Sequence, residues 1–159
     1  MLAVAALSCA SVRAEGLPGP YLGTVERVVD GDTLAVRVTV WLELDLRVLV
    51  RVRGIDAPEV RGRCELERAR AAKATAALQK LVGSGAVVLS DIEGDKYYGC
   101  VLADVVTPNG ADVAESLLAG GFVRSYNGQA RAAWCAIGGF DVREWPEVAD
   151  VGSKQNRLD

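Results

Sequence analysis

A chain of 159 residues, half of them apolar, is long enough for one domain with a proper core. Its 18 basic and 21 acidic residues give a net charge of −3, which excludes an all-over positive field of the kind that coats nucleic acid; any phosphate contact must come from a local patch. Histidine is absent, so the commonest general base and metal ligand is missing, and carboxylates, arginines and tyrosines must carry any chemistry.

Residues 1–14 hold no acidic group, are apolar between Leu2 and Leu7, and end in Val12-Arg13-Ala14, a small-residue pattern that suits signal peptidase. They read as a signal peptide, the alternative being a buried N-terminal strand or helix. The apolar stretch is too short to span a bilayer, so no membrane anchor is expected. Removal of this segment leaves 17 basic against 21 acidic residues. Three cysteines then remain, Cys64, Cys100 and Cys135, and in an oxidising compartment they make one pair and one leftover thiol.

Residues 23–29 and 34–40 are β-rich runs joined by Asp30-Gly31-Asp32, a hairpin-type turn. In the second run Leu34, Val36, Val38 and Val40 alternate with Ala35, Arg37 and Thr39, the period of a half-buried strand. A third run, residues 47–53, places Val48, Val50 and Val52 on one face and Arg47, Leu49, Arg51 and Arg53 on the other. Residues 64–82 predict one alanine-rich helix, with Leu66, Ala69, Leu78 and Leu81 for its inner side and Gly83 and Gly85 to end it. Two more strands follow over residues 86–92 and 100–106, then a short helix over 112–119, and a final short helix is drawn over 129–136. Residues 138–159 lack an apolar period and are expected to be a loosely attached tail. Five strands with a helix after the third and another at the end predict an α+β domain: a small OB-type barrel, with about three helices packed outside.

The turn Asp30-Gly31-Asp32-Thr33 is a weak signal alone. The stretch Arg51-x-Arg53-Gly54-Ile55-Asp56-Ala57-Pro58-Glu59 strengthens it, because it leaves a strand and delivers two carboxylates three residues apart, with Pro58 holding Ala57 out of the helical region. Oxygen donors from separate loops, Asp32 and Asp56 with the Ala57 carbonyl, are what a calcium-like ion asks for. Glu59 then stands beside such an ion, free to orient a water.

Three runs in order, Val29 to Thr33, Arg51 to Glu59, and Asp95-Lys96-Tyr97-Tyr98-Gly99 followed by Val101-Leu102-Ala103-Asp104, resemble the staphylococcal-nuclease family. Gly62-x-Cys64-x-x-Glu67 and Trp134-Cys135 resemble its secreted bacterial branch. The resemblance implies a nuclease-like domain over residues 20–137, secreted or periplasmic and monomeric, and a calcium-dependent endonuclease acting on DNA and RNA. It implies one Ca2+ held by Asp32, Asp56 and Ala57, activation of water by Glu59, and phosphate binding by Arg51. Lys96, Tyr98 and Tyr126 match positions near the nucleotide. Cys100 departs from the pattern: it stands where the family carries a second arginine, so reduced activity is expected. The alternative is a noncatalytic OB-type nucleic-acid-binding module. A Cys64–Cys135 disulfide is expected from secretion and from the placement of these residues at the helix start and in the C-terminal segment.

Overall fold

The computed structural model of the chain describes residues 16–95 and 99–135. The predicted signal peptide, Lys96, Tyr98 and the predicted tail lie outside the described residues. The strands are β1 (Tyr21–Val28), β2 (Thr33–Trp41), β3 (Leu44–Val52), β4 (Ile55–Asp56), β5 (Ala86–Gly94), β6 (Cys100–Val106) and β7 (Arg124–Ser125). The helices are α1 (Glu65–Val82) and α2 (Val113–Ala119). Five strands close into a barrel in the order β1-β2-β3-β6-β5, and β4 pairs with β7 in a separate two-stranded sheet. The expected α+β class and five-stranded OB-type barrel are what the chain forms.

Alternation drives closure. Val25, Leu34, Val36, Val38, Val50, Val52, Val87, Leu89, Ala103 and Val105 are all buried, so each of the five long strands gives one face to a common interior. Register shifts at Val25/Arg27, Thr39/Trp41 and Ser90/Glu93 supply the local bends that let a short sheet curl on itself. The decisive pairing is β3 with β6, the one parallel contact of the barrel, which sets Leu49 against Cys100 and Arg51 against Leu102. On β6 the buried residues are Ala103 and Val105, so Cys100, Leu102 and Asp104 share the outer face with Arg51 and Arg53.

Helix α1 is capped at Cys64, whose Sγ accepts the Glu67 N–H at 3.4 Å, and ends at Gly83, whose φ of 58° suits glycine and whose N–H reaches Gln79 O at 2.8 Å. Its buried stripe is Glu67, Ala71, Ala74, Leu78 and Val82. This corrects the inner face drawn from sequence: Leu78 is on it, Ala69 is exposed, and Leu66 and Leu81 sit at its margins. The stripe turns because the Glu67 carboxylate is itself taken inward, where it accepts the Arg63 N–H at 2.9 Å. Helix α2 is capped by Asp112, which accepts the Glu115 N–H at 2.8 Å.

The third helix is also corrected. Residues 129–135 are irregular, and two helices are present among the described residues. Gly128 adopts φ 85°, and what fixes the following segment is side-chain anchoring rather than a backbone ladder. Cys135 is bonded to Cys64, with Cα atoms 6.0 Å apart, so the expected disulfide forms, while Cys100 stays free.

Gly31 fits where the turn between β1 and β2 meets α1. A Cβ there would lie 2.7 Å from Ala74 Cβ and 2.8 Å from Ala57 Cβ. Both neighbours are short, stiff and buried, so neither can retreat without moving α1 or the loop after β4. Gly31→Ala is expected to destabilise the fold by about 1–3 kcal/mol, read by urea denaturation. An unchanged midpoint would show that the contact yields.

Candidate active site

Asp32 comes from the turn after β1 and Asp56 from the two-residue strand β4, and both are almost completely buried, 3% and 5% exposed. Asp32 reaches inward because Asp30 Oδ1 accepts its N–H at 3.0 Å, and Val29 N–H bonds Thr33 O at 2.9 Å, which tightens the turn. Asp32 Oδ2 then accepts from Ala57 N at 2.8 Å and from Arg51 Nη2 at 2.9 Å, while Oδ1 accepts the Thr33 hydroxyl at 2.9 Å. The two loops that the sequence marked separately are thus stitched together by one carboxylate.

Asp56 is held from three sides. Arg51 Nη2 stands 3.6 Å from its Oδ1 and Arg131 Nε 3.0 Å from the same oxygen, and Trp134 Nε1 donates to Oδ2 at 3.2 Å. The arginines lie at ion-pair distance yet out of line for a hydrogen bond, so Oδ1 is a buried oxygen without a hydrogen-bond partner. Glu59, on the loop after β4, is more than half exposed and accepts from Arg131 Nη1 at 2.5 Å. Three carboxylates and two guanidiniums therefore share one end of the barrel.

Burial pushes the Asp32 carboxyl up to about 6, Arg51 pulls against that rise, and Asp30 adds to it. For Arg131, burial works to lower its pKa, but Asp56 and Glu59 outweigh burial and hold it above the ordinary value. Burial and the neighbouring Arg70 lower Arg124, whose guanidinium lies over the Trp134 ring at 3.7 Å and donates to Ala133 O at 3.1 Å.

The residues present fit a hard divalent cation. Their donors are oxygens throughout, a buried Asp56 oxygen lacks a hydrogen bond, and burial raises the Asp32 pKa despite Arg51, a cost that a bound cation would relieve. Cys64, Glu67 and Cys135 also bring ligand atoms within 4.8 Å of one another, but both sulfurs are spent in the disulfide.

The model of staphylococcal nuclease homologues matches residues 49–134, more than half of the chain. The chain belongs to the staphylococcal-nuclease family. No curated protein matches it. The family is one of nucleases and nucleic-acid-binding proteins, and the matched span contains Arg51, Asp56, Ala57, Glu59 and Cys100. Asp32 lies ahead of that span and joins it through the Arg51 and Ala57 contacts.

Among the sequence-marked residues, Arg51, Asp32, Asp56, Ala57 and Glu59 assemble here. Tyr126 lies just after β7, half-buried, with its N–H on Gly54 O at 2.9 Å; its ring makes no hydrogen bond to the acidic group among the described residues. Arg53 has a different task, tying the end of β3 to Asp104 at 3.2 Å, to Glu93 at 3.4 Å and to the Asp91 carbonyl. The free Cys100 thiol is half-buried on the Arg51 face, and burial, then Asp95, raises its pKa, so it is uncharged at neutral pH. Arg131, Trp134 and Arg124 were missed as site residues. Their signal was Cys135: a segment bonded to the start of α1 must pass the loop that carries Asp56 and Glu59.

The Asp32 shift has a sign that can be tested. Between 3.8 and about 6 the folded protein keeps a proton that the unfolded chain has released, so stability falls as pH rises through this window and the penalty is complete above it. Asn at position 32 keeps an oxygen for Arg51 and Ala57 and can donate to the Thr33 hydroxyl. Asp32→Asn is therefore expected to raise metal-free stability at pH 7 by about 1–3 kcal/mol, and to give no gain near pH 4. Thermal melts in chelator across pH 4–8 would disprove the shift if the gain were independent of pH.

Proposed function

We propose that this protein is a calcium-dependent endonuclease that hydrolyses phosphodiester bonds of DNA and RNA. The observation that carries the reading is the convergence of Asp32, Asp56, Glu59 and Arg51 at one end of the barrel, two from loops and two from strands. The Cys64–Cys135 disulfide supports a secreted or periplasmic location, where such bonds persist. Among the described residues no helix is long and apolar enough to cross a membrane.

Asp32, Asp56 and the Ala57 carbonyl would hold Ca2+, which when bound supplies positive charge to the phosphate oxygens. Glu59, exposed enough to meet solvent, takes the proton of the attacking water. Arg51, only 15% exposed and braced by Asp32, presents guanidinium N–H groups to the phosphate with little freedom to wander. The cleft beside Asp56, Glu59, Arg131 and Trp134 encloses about 510 Å³, space for a nucleotide phosphate and the bases' near edges. Cys100 supplies no charge, so the barrel strands present one guanidinium to the phosphate where two would speed the reaction more. That neutral position is what favours the second reading, a noncatalytic nucleic-acid-binding module on the same face.

Cleavage of denatured DNA should require calcium and stop on chelation. Glu59→Gln should lower kcat by about 10²–10³-fold, the loss of a general base, while calcium binding by calorimetry is kept within a few-fold. A parent that binds single-stranded DNA and calcium but cuts nothing would establish the binding module instead.

A further inference from the structure

We infer that Arg131 is the second phosphate-facing guanidinium of this site, carried in by the disulfide-anchored segment to serve where the barrel strand offers only Cys100. The inference rests on the nuclease reading and goes beyond it in assigning a catalytic residue outside the barrel.

Position is the first argument. Arg131 Nε lies 3.0 Å from Asp56 Oδ1 and its Nη1 2.5 Å from Glu59 Oε1, so the guanidinium spans a proposed cation ligand and the proposed base. It also converges with Arg51 on a single oxygen, Asp56 Oδ1, from a different element. Two guanidiniums that meet on one carboxylate oxygen can equally meet on one phosphate, because the planar fork of N–H donors fits both anions in the same way.

The second argument is anchoring. Three residues on, Trp134 is 5% exposed, donates to Asp56 Oδ2 and carries Arg124 over its ring. One residue further, Cys135 is covalently tied to the start of α1. The backbone just beyond Arg131 is thus fixed from two directions, whereas the Arg131 side chain keeps about a third of its surface in solvent. A group fixed at its root and open at its tip is suited to grip a ligand that enters from solvent.

The third argument is the vacancy in charge at Cys100. That thiol sits on the outer face with Arg51, opposite Leu49 and two register positions along the β3–β6 pair, and is neutral at neutral pH. The strand that carries Arg51 has a neutral neighbour at Cys100, while the C-terminal segment brings a guanidinium onto the same Asp56 oxygen that Arg51 approaches.

The test uses the full disulfide-bonded protein, with Arg131→Ala, Arg131→Lys, Cys100→Arg/Arg131→Ala and the parent. Calcium-dependent cleavage of denatured DNA is read as kcat and KM, and calorimetry measures binding of calcium and of a nucleoside 3′,5′-bisphosphate. Arg131→Ala should lower kcat by about 100-fold and weaken bisphosphate binding by about tenfold, with calcium affinity kept or raised. Arg131→Lys should recover only part of the loss, since an ammonium lacks the fork. Cys100→Arg in the Arg131→Ala background should restore at least about tenfold in kcat. Arg131→Ala that cuts at the parent rate or faster, or that binds the bisphosphate equally well, overturns the inference and makes Arg131 a counter-ion or a plug. A parent that binds the bisphosphate yet cuts nothing overturns the nuclease reading, and the bisphosphate comparison still judges Arg131.

Discussion

Burying two carboxylates side by side is costly unless cations and hydrogen bonds surround them, and this requirement organises the whole end of the barrel that holds Asp32 and Asp56. Asp32 meets it with Arg51, the Ala57 N–H and the Thr33 hydroxyl; Asp56 meets it with Arg51, Arg131 and the Trp134 indole. These partners come from β2, β3, the loop after β4 and the segment before Cys135. Remove the carboxylates and those elements lose their common point of attachment.

The barrel supplies what the carboxylates need by its connectivity. Closure through the parallel β3–β6 pair leaves Arg51 with its stem against the strand surface and its head at the acidic end. The same pairing fixes which residue of β6 shares that face, and period-two alternation makes it Cys100 rather than Val101. A neutral residue there is therefore a chemical fact about the site, and its outward neighbour Leu102, opposite Arg51, is neutral as well.

The disulfide does for the C-terminal segment what secondary structure does elsewhere. Residues 129–135 form no helix, yet the Cys64–Cys135 bond and the buried Trp134 hold them against the loop after β4. A bond that closes a loop of 71 residues removes much unfolded-state freedom. It also couples the redox state of two cysteines to the position of Arg131, because the same short segment carries both.

The strands, the long helix and the three-motif order were legible in the sequence, since each is written in local periodicity, turn residues or spacing that neighbours along the chain enforce. Asp32, Asp56, Ala57, Glu59 and Arg51 were marked there too, and the structure brings them together; the two cysteines that pair were also legible. The third helix was not correct, because an anchored irregular segment and a helix look alike in a short alanine-rich run. Helix α1 was found, but its inner face was rotated, because the inward turn of Glu67 depends on the Arg63 N–H and the adjoining disulfide rather than on hydropathy. Arg131 could not be chosen among the arginines by pattern: an arginine's meaning lies in which carboxylate it faces, and residues 56, 59 and 131 become neighbours only when a covalent bond at Cys135 and a buried indole at Trp134 bring the segment across. The barrel and the acidic loops have causes that lie close along the chain; which positive charges answer those loops is settled only in three dimensions, because ion pairing acts through space.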